Sequence, residues 1–371
     1  MRRTGFLLAG LAWLACAPGP ARAAGKAVSC GCYCGKWIDP PCGKEACRAA
    51  CAQAPLPGPE APDPPPPAAD PKLSREDIKR MMDEAAETAA ARAAEKAARQ
   101  KALTEAAAHI VSDVDQPGSQ AVENPDDYAV VAGVETYPDL PAAQFAERDA
   151  QAVKRHLAAL GVPERNIKSL LGARATKGAL EASLEGWLPR RVKPGSRVFF
   201  YFSGHGAPDP KSGQAYLVPS DGDPDYLDKT ALPLRRLYSS LNALKAKRVI
   251  VALDSCFSGA GGRSVLPEGA RPLVLKKDAA AAPGGKILLF AAAAPEEITS
   301  TLKEQGHGAF TYYFLKGLSG EARDKSGAVT PAGLYRYLKP KVQDAAAAQN
   351  RDQTPVLEGG STEELARYGR R

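Results

Sequence analysis

The sequence predicts an α/β domain: a mainly parallel sheet wrapped by helices, preceded by a small cysteine-rich module and a long helix. Three observations carry that prediction. From about residue 124, short apolar runs alternate with helical patterns, the order expected of strands joined by crossover helices. Those runs are almost continuously apolar, as strands covered on both faces are. Before residue 124 the composition shifts abruptly from cysteine-rich to proline-rich to alanine-rich, which marks separate segments rather than one core. The expected divisions are a leader over 1–23, a cysteine module over 24–52, a linker over 53–72, a helix over 73–115 and the α/β domain over 124–360.

The first segment has the pattern of an export signal. Arg2 and Arg3 give a charged start, residues 5–17 are apolar, and Ala21-Arg22-Ala23 offers a small-x-small cleavage site. The apolar run is too short to span a bilayer, and no other segment is apolar enough to do so. Leu14-Ala15-Cys16 offers a second reading, lipid attachment at Cys16. Export gives meaning to the cysteines that follow. Cys30, Cys32, Cys34, Cys42, Cys47 and Cys51 crowd into a short stretch, and in an oxidising compartment six such residues read as up to three disulfides. A zinc site is the alternative, although paired C-x-x-C knuckles and a nearby histidine are missing. Cys256 stands apart from this cluster.

Nine of the seventeen residues from 55 to 71 are proline, which makes an extended, semi-rigid spacer. Residues 73–115 then hold neither Gly nor Pro and are rich in Ala, Glu, Lys and Arg. Ser74 followed by Asp77 resembles a capping box with Asp in place of Glu, so one long helix is expected. Its large apolar residues, Ile78, Met81, Met82, Leu103 and Ile110, are too sparse for a sustained coiled coil.

Within the α/β domain, residues 128–134 (YAVVAGV) make the first strand, followed by a helix over 149–160. A second strand spans 167–171 and a helix spans 180–188. The third strand, 197–202 (RVFFYF), runs into Ser203-Gly204-His205-Gly206. A helix over 234–244 precedes the fourth strand, 248–253 (RVIVAL), which runs into Asp254-Ser255-Cys256. Residues 286–292 make a fifth strand and 310–318 a helix. The chain carries a net charge of +7, but Arg2, Arg3 and Arg22 lie in the leader. No basic stripe interleaved with aromatics suggests nucleic acid.

In open α/β sheets, ligands bind beyond the carboxyl ends of the strands. That rule selects SGHG after strand three and DSCF after strand four, and adjacent strands would bring His205 and Cys256 to one edge. A thiol and an imidazole supply a nucleophile and a general acid/base. The glycines around His205 let backbone amides approach a developing oxyanion. A buried, inert cysteine is the competing reading of Cys256. His307 also lies between glycines, but outside a strand end. The glycines after Cys256 match neither phosphate-binding fingerprint.

YFSGHG (201–206) together with ALDSCFSG (252–259) resembles the caspase-like cysteine peptidases, including metacaspases and their bacterial relatives. Supporting segments are VVAGVETYPDLPAAQFAERDAQAV (130–153), YLVPSD (216–221) and GAFTYYFLKGLSGEA (308–322). The resemblance covers about residues 126–358 and implies the caspase–hemoglobinase sandwich. It implies a His205–Cys256 dyad acting on protein or peptide substrates, with the amides of Gly206 and Cys256 as oxyanion donors. It implies an acidic primary pocket of Asp149, Ser203 and Asp254, hence cleavage after Arg or Lys; paired carboxylates suit a guanidinium or ammonium. No cofactor is required by such a dyad, and calcium enters as an activator of the metacaspases. The sequence departs from that pattern at Phe257, where His is usual, and at Arg148, where Asn commonly precedes the pocket Asp; Arg148 could pair with Asp149. Arg263, Arg271, Lys276 and Lys277 offer self-cleavage points in a loop over 263–285. A non-catalytic binding or scaffold domain of the same fold is the rival reading.

Overall fold

The apolar runs from residue 128 onward become the strands of one sheet, and their alternation decides what each face meets. In the computed structural model, the described residues are 32–33, 37–38, 74–108, 110–118, 120–208, 214–257, 284–360 and 362–369. The leader with Cys16, the proline-rich linker, the cysteines at 30, 34, 42, 47 and 51, and the basic residues at 263, 271, 276 and 277 lie outside them.

The chain divides into two units, Met1–Glu84 and Ala85–Arg371. In the first, Cys32–Tyr33 pairs antiparallel with Trp37–Ile38. Helix α1 spans Arg75–Ala108 and opens with the reciprocal cap expected of Ser74 and Asp77. The Asp77 amide donates to Ser74 Oγ at 3.0 Å, and the Ser74 amide donates to Asp77 Oδ2 at 3.3 Å. The expected helix over 73–115 is thus shorter at its far end. Residues 110–115 make local side-chain-to-backbone bonds instead: the Ser112 amide donates to Asp115 Oδ2 at 3.1 Å, and the Val114 amide to Ser112 Oγ at 3.5 Å. Such bonds compete with the helical ladder. Val114 is 1% exposed and belongs to the core of the second unit.

That unit is built on strands β1 (Tyr128–Gly133), β2 (Ile167–Leu171), β3 (Arg197–Ser203), β4 (Arg248–Asp254), β5 (Ile287–Ala291) and β6 (Val356–Glu358). Their order across the sheet is β6-β5-β4-β3-β1-β2. β1 to β5 are mutually parallel, and β6 runs antiparallel to β5. β6 was not legible as a strand: it has three half-exposed or exposed residues and no alternation. Along β3 and β4, Phe200, Phe202, Val249 and Val251 enter one hydrophobic cluster, while Phe199, Tyr201, Ile250 and Ala252 enter the other. Period-two alternation therefore fills both layers. Truncating Phe200 or Phe202, both fully buried, to Ala costs about 3–5 kcal/mol.

On one face lie α2 (Ala146–Ala159), α5 (Ala309–Lys316) and α6 (Pro331–Ala347). On the other lie α3 (Lys177–Glu181), which continues as a π-helix over Ala182–Trp187, and α4 (Leu234–Ala243). Thr176 caps α3, and Thr330 caps α6, with Pro331 at the first turn. Pro340 inside α6 hides that helix from a propensity reading. Beyond β3, Gly206–Pro208, Ala215–Leu217 and Leu232–Pro233 form a small antiparallel sheet. The amino edge of the main sheet is fastened by Asp127. This fully buried carboxylate accepts from the Arg197 guanidinium at 2.9 and 2.6 Å, from the Arg197 amide at 2.9 Å and from Asn124 Nδ2 at 3.0 Å.

Candidate active site

β3 and β4 are adjacent and parallel, with Ser203 opposite Asp254. His205 and Cys256 each lie two residues beyond that pair, so the register carries both to the same stretch of the carboxyl edge. The ladder continues one step past the strands, the Gly204 amide donating to Asp254 O at 3.4 Å. Gly206 is pressed so closely on the next turn that a Cβ there would come within 2.6 Å of Cys256 O and 2.8 Å of the Phe257 ring. No larger residue fits, and the backbone following His205 thus touches the backbone of Cys256.

His205 is fully buried and is held from the loop after β1. Its Nε2 is 2.6 Å from Pro141 O. A carbonyl only accepts, so Nε2 carries the proton and Nδ1 is the basic nitrogen. Tyr137 packs on the imidazole with ring centroids 4.7 Å apart. Its hydroxyl accepts the His205 amide at 2.9 Å and donates to Val218 O at 3.0 Å. Tyr137 and Pro141 had no role in the sequence reading, although both lie in the segment that carries the resemblance. A loop carbonyl leaves no residue-type signature.

Cys256 is present as a buried thiol. Its Sγ–H points at Glu297 O, 3.1 Å away. Glu297 itself is anchored, its carboxylate accepting from the amides of Ala294 and Thr354. Ser255 is also buried, and its hydroxyl makes no hydrogen bond among the described residues.

Asp149, Ser203 and Asp254 come together. Asp149, near the start of α2, is fully buried and accepts from Ser203 Oγ at 3.4 Å. Ser203 is in turn the register neighbour of Asp254, whose Oδ2 accepts from Thr311 Oγ1 at 2.6 Å. The Thr311 hydroxyl lies 2.7 Å from that of Tyr201. A further partner of Asp149 is a histidine that the sequence alone does not single out. His307 Nδ1 donates to Asp149 Oδ1 at 2.7 Å, and the Gly308 amide reaches both carboxylate oxygens at 3.2 Å. Arg148, the residue expected to compete for Asp149, directs Nη2 to Asp115 Oδ2 and Ile110 O, both at 2.6 Å.

Two further carboxylates stand beside this group. Burial, reinforced by the charges of Glu147 and Asp149, raises the Glu135 carboxyl to about 6; burial also raises that of Glu147. The edge of the sheet is therefore acidic. Among the described residues, no group of three or more His, Cys, Asp or Glu could hold a metal ion. A groove of about 610 Å3 along β2, lined by Lys168, Trp187, Arg190 and Arg191 among others, contains none of the candidate residues.

A parallel sheet between two helical layers, with a cysteine and a histidine at adjacent strand ends, defines a class of α/β cysteine-hydrolase scaffolds. The chain belongs to the caspase domain family, whose sequence profile matches residues 126–366. That family consists of peptidases, which act on protein substrates. A relative from a Desulfuromonadales bacterium, described as a "Probable protease", is 24% identical over 262 residues, spanning 62% of this chain. This chain spans only 31% of that protein. Among solved structures, a Geobacter sulfurreducens protein is similar at 18% identity, covering 66% of this chain and 98% of that one with a TM-score of 0.45. Caspase-1 from Spodoptera frugiperda is similar at 12% identity, covering 70% and 96% with a TM-score of 0.46.

Proposed function

We propose that this chain is an exported cysteine endopeptidase that cleaves after Arg or Lys, using Cys256 as nucleophile and His205 as general acid/base. The observation that carries the reading is the strand register, which sets both residues two positions beyond the Ser203–Asp254 pair. In the proposed reaction, His205 Nδ1 takes the thiol proton and Sγ attacks the scissile carbonyl. The amides of Gly206 and Cys256 stabilise the oxyanion. The imidazolium then protonates the leaving amine, and the acyl-enzyme is hydrolysed by water that His205 deprotonates. Pro141 O holds the ring in the required tautomer, the part a carboxylate plays in other triads.

The acidic grouping of Asp149 and Asp254, with Ser203 hydrogen-bonded to the first and beside the second in strand register, supports a pocket for a basic side chain. Export rests on the leader, with Cys16 as the point of attachment if a lipid is added. The six clustered cysteines are assigned to disulfides, and calcium to activation rather than catalysis. Self-cleavage is assigned to the basic residues at 263, 271, 276 and 277. One observation favours the non-catalytic rival: Cys256 is buried and its S–H is held by Glu297 O.

Turnover of Arg- and Lys-ended fluorogenic peptides separates the two. With and without reductant and calcium, wild type should cleave them, and Cys256→Ala should lose at least ~10³-fold of that rate, of the order seen when a nucleophile is removed. Equal behaviour of the two proteins would end the peptidase reading.

A further inference from the structure

The pocket carboxylate is tied to a piece of chain that lies ahead of the family domain. His307 is fully buried between two acids. Its Nδ1 donates to Asp149 Oδ1 at 2.7 Å; its Nε2 lies 3.4 Å from Asp115 Oδ1, within ion-pair range but making no hydrogen bond among the described residues. Asp115 ends the segment 110–115 that follows α1, outside the 126–366 family match. It is held as an anion: burial opposes its ionisation, but the hydrogen bond from Arg148 and the neighbouring charges bring its carboxyl below the ordinary range.

The segment is fastened along its length. Arg148 grips Ile110 O as well as the Asp115 carboxylate. Arg155 Nε donates to Asp115 O at 2.5 Å, and His156 Nε2 lies 2.9 Å from Val114 O. Ser112 Oγ donates to Gln305 Oε1 at 3.2 Å, two residues before His307, and Lys316 pairs with Asp113 at 2.7 Å. Gly306, at φ 65°, turns the chain into His307, and a Cβ there would press on the Arg148 guanidinium at 3.0 Å. One continuous chain of contacts thus runs from Asp115 through His307 to Asp149, then through Ser203 to the register position of Asp254. Arg148, on α2, holds both ends of the segment.

We propose that residues 110–115 are a positioning strap for the substrate pocket: Asp115, acting through His307, sets the place of the Asp149 carboxylate and so governs recognition of a basic side chain. The proposal rests on the reading of Asp149 as a pocket residue. Asp115 and His307 are positioning residues; neither has to touch substrate. This imidazole is oriented by its hydrogen bond to Asp149, as triad histidines are by theirs, and the Asp115 carboxylate acts on its other nitrogen through charge at 3.4 Å. Neutralising Asp115 removes that charge, and Asp149 loses its fixed donor geometry.

The test is binding rather than turnover. Full-length Cys256→Ala protein is titrated calorimetrically with a peptide ending in Arg and with its neutral isostere ending in citrulline. The ratio of the two affinities reads the charge-recognising pocket alone. Adding Asp115→Asn or His307→Gln should cut that ratio by about threefold to thirtyfold, the range of measured couplings through packed networks. Asp115→Glu should restore most of it. Lys247→Ala, whose ion pair with Glu363 joins neither the segment nor His307, should leave it unchanged. A preference for Arg that survives Asp115→Asn and His307→Gln overturns the strap while leaving the pocket standing. An equal loss in Lys247→Ala also overturns it, since general loosening would then suffice. If Cys256→Ala protein binds both peptides alike, the pocket reading of Asp149 fails and takes the strap with it. Should Asp115→Asn not fold, His307→Gln and Asp115→Glu decide alone.

Discussion

His205 and Cys256 owe their importance to different neighbours, and each can be tested through them. Tyr137→Phe removes the acceptor of the His205 amide and the donor to Val218 O while keeping the ring that packs on the imidazole. It is expected to cost about 1 kcal/mol of stability and to lower kcat more than it raises KM, as checked by peptide hydrolysis and thermal melts. A second residue-scale prediction concerns pH. Glu135 has an ordinary carboxyl value of 4.5 and is raised to about 6 in the folded protein. Between those values the folded chain binds more protons than the unfolded one, so this residue's contribution to stability falls as pH rises from about 4.5 to 6 and is flat outside that window. Denaturant titrations of Glu135→Gln should therefore match wild type below pH 4.5 and exceed it by about 1–2 kcal/mol above pH 6. A difference that does not change with pH would remove the burial argument. The proposed dyad could be picked out in the sequence because thiol and imidazole are rare and both followed apolar strand runs. His307 was not legible as the partner of Asp149, because GHG at 306–308 follows no apolar run, its strand His307–Gly308 being only two residues long, and the pairing spans 158 residues. The role of Pro141 belongs to a carbonyl, which every residue has.

At the scale of elements, the five parallel strands could be read because burial on both faces makes them continuously apolar. β6 and α6 could not, the first for its brevity and the second for Pro340. The end of α1 was overestimated, since propensity favoured helix through residue 115 and tertiary contacts to Asp115 won. The Asp127–Arg197 pair joins the starts of β1 and β3 at the amino edge, away from the candidate residues at the carboxyl edge. Asp127→Ala strands a guanidinium and unpairs the Arg197 amide, and should cost about 3 kcal/mol or more in chemical denaturation. The ratio of Arg to citrulline peptide affinity in the folded fraction should not change. The loop around Glu297 makes the opposite forecast. Glu297→Ala removes the anchors to Ala294 and Thr354, loosens the carbonyl that holds the Cys256 S–H, and should speed alkylation of Cys256 by a small haloacetamide. Unchanged alkylation would show that this carbonyl does not restrain the thiol.

For the whole molecule, the site is assembled from the carboxyl ends of neighbouring strands, the loop after β1, the start of α2 and the turn into α5. Only the parallel sheet gathers pieces so distant in sequence. The arrangement accounts for the separation of Cys256 from the other cysteines: those fall in the segment ahead of the proline-rich linker, and Cys256 lies two residues beyond a strand of the caspase domain. The central claim is that His205 activates Cys256 toward peptides with a basic residue at the cleavage point. Its most direct measurement is covalent capture: intact protein is treated with an Arg-ended peptidyl chloromethyl ketone and with its Asp-ended counterpart, and the modified residue is mapped by mass spectrometry. The account predicts a single adduct on Cys256, formed faster with Arg than with Asp and slowed at least ~10²-fold by His205→Ala, the usual contribution of a positioned acid/base. Labelling of Cys256 at the same rate with and without His205, or faster labelling by the Asp reagent, would contradict it.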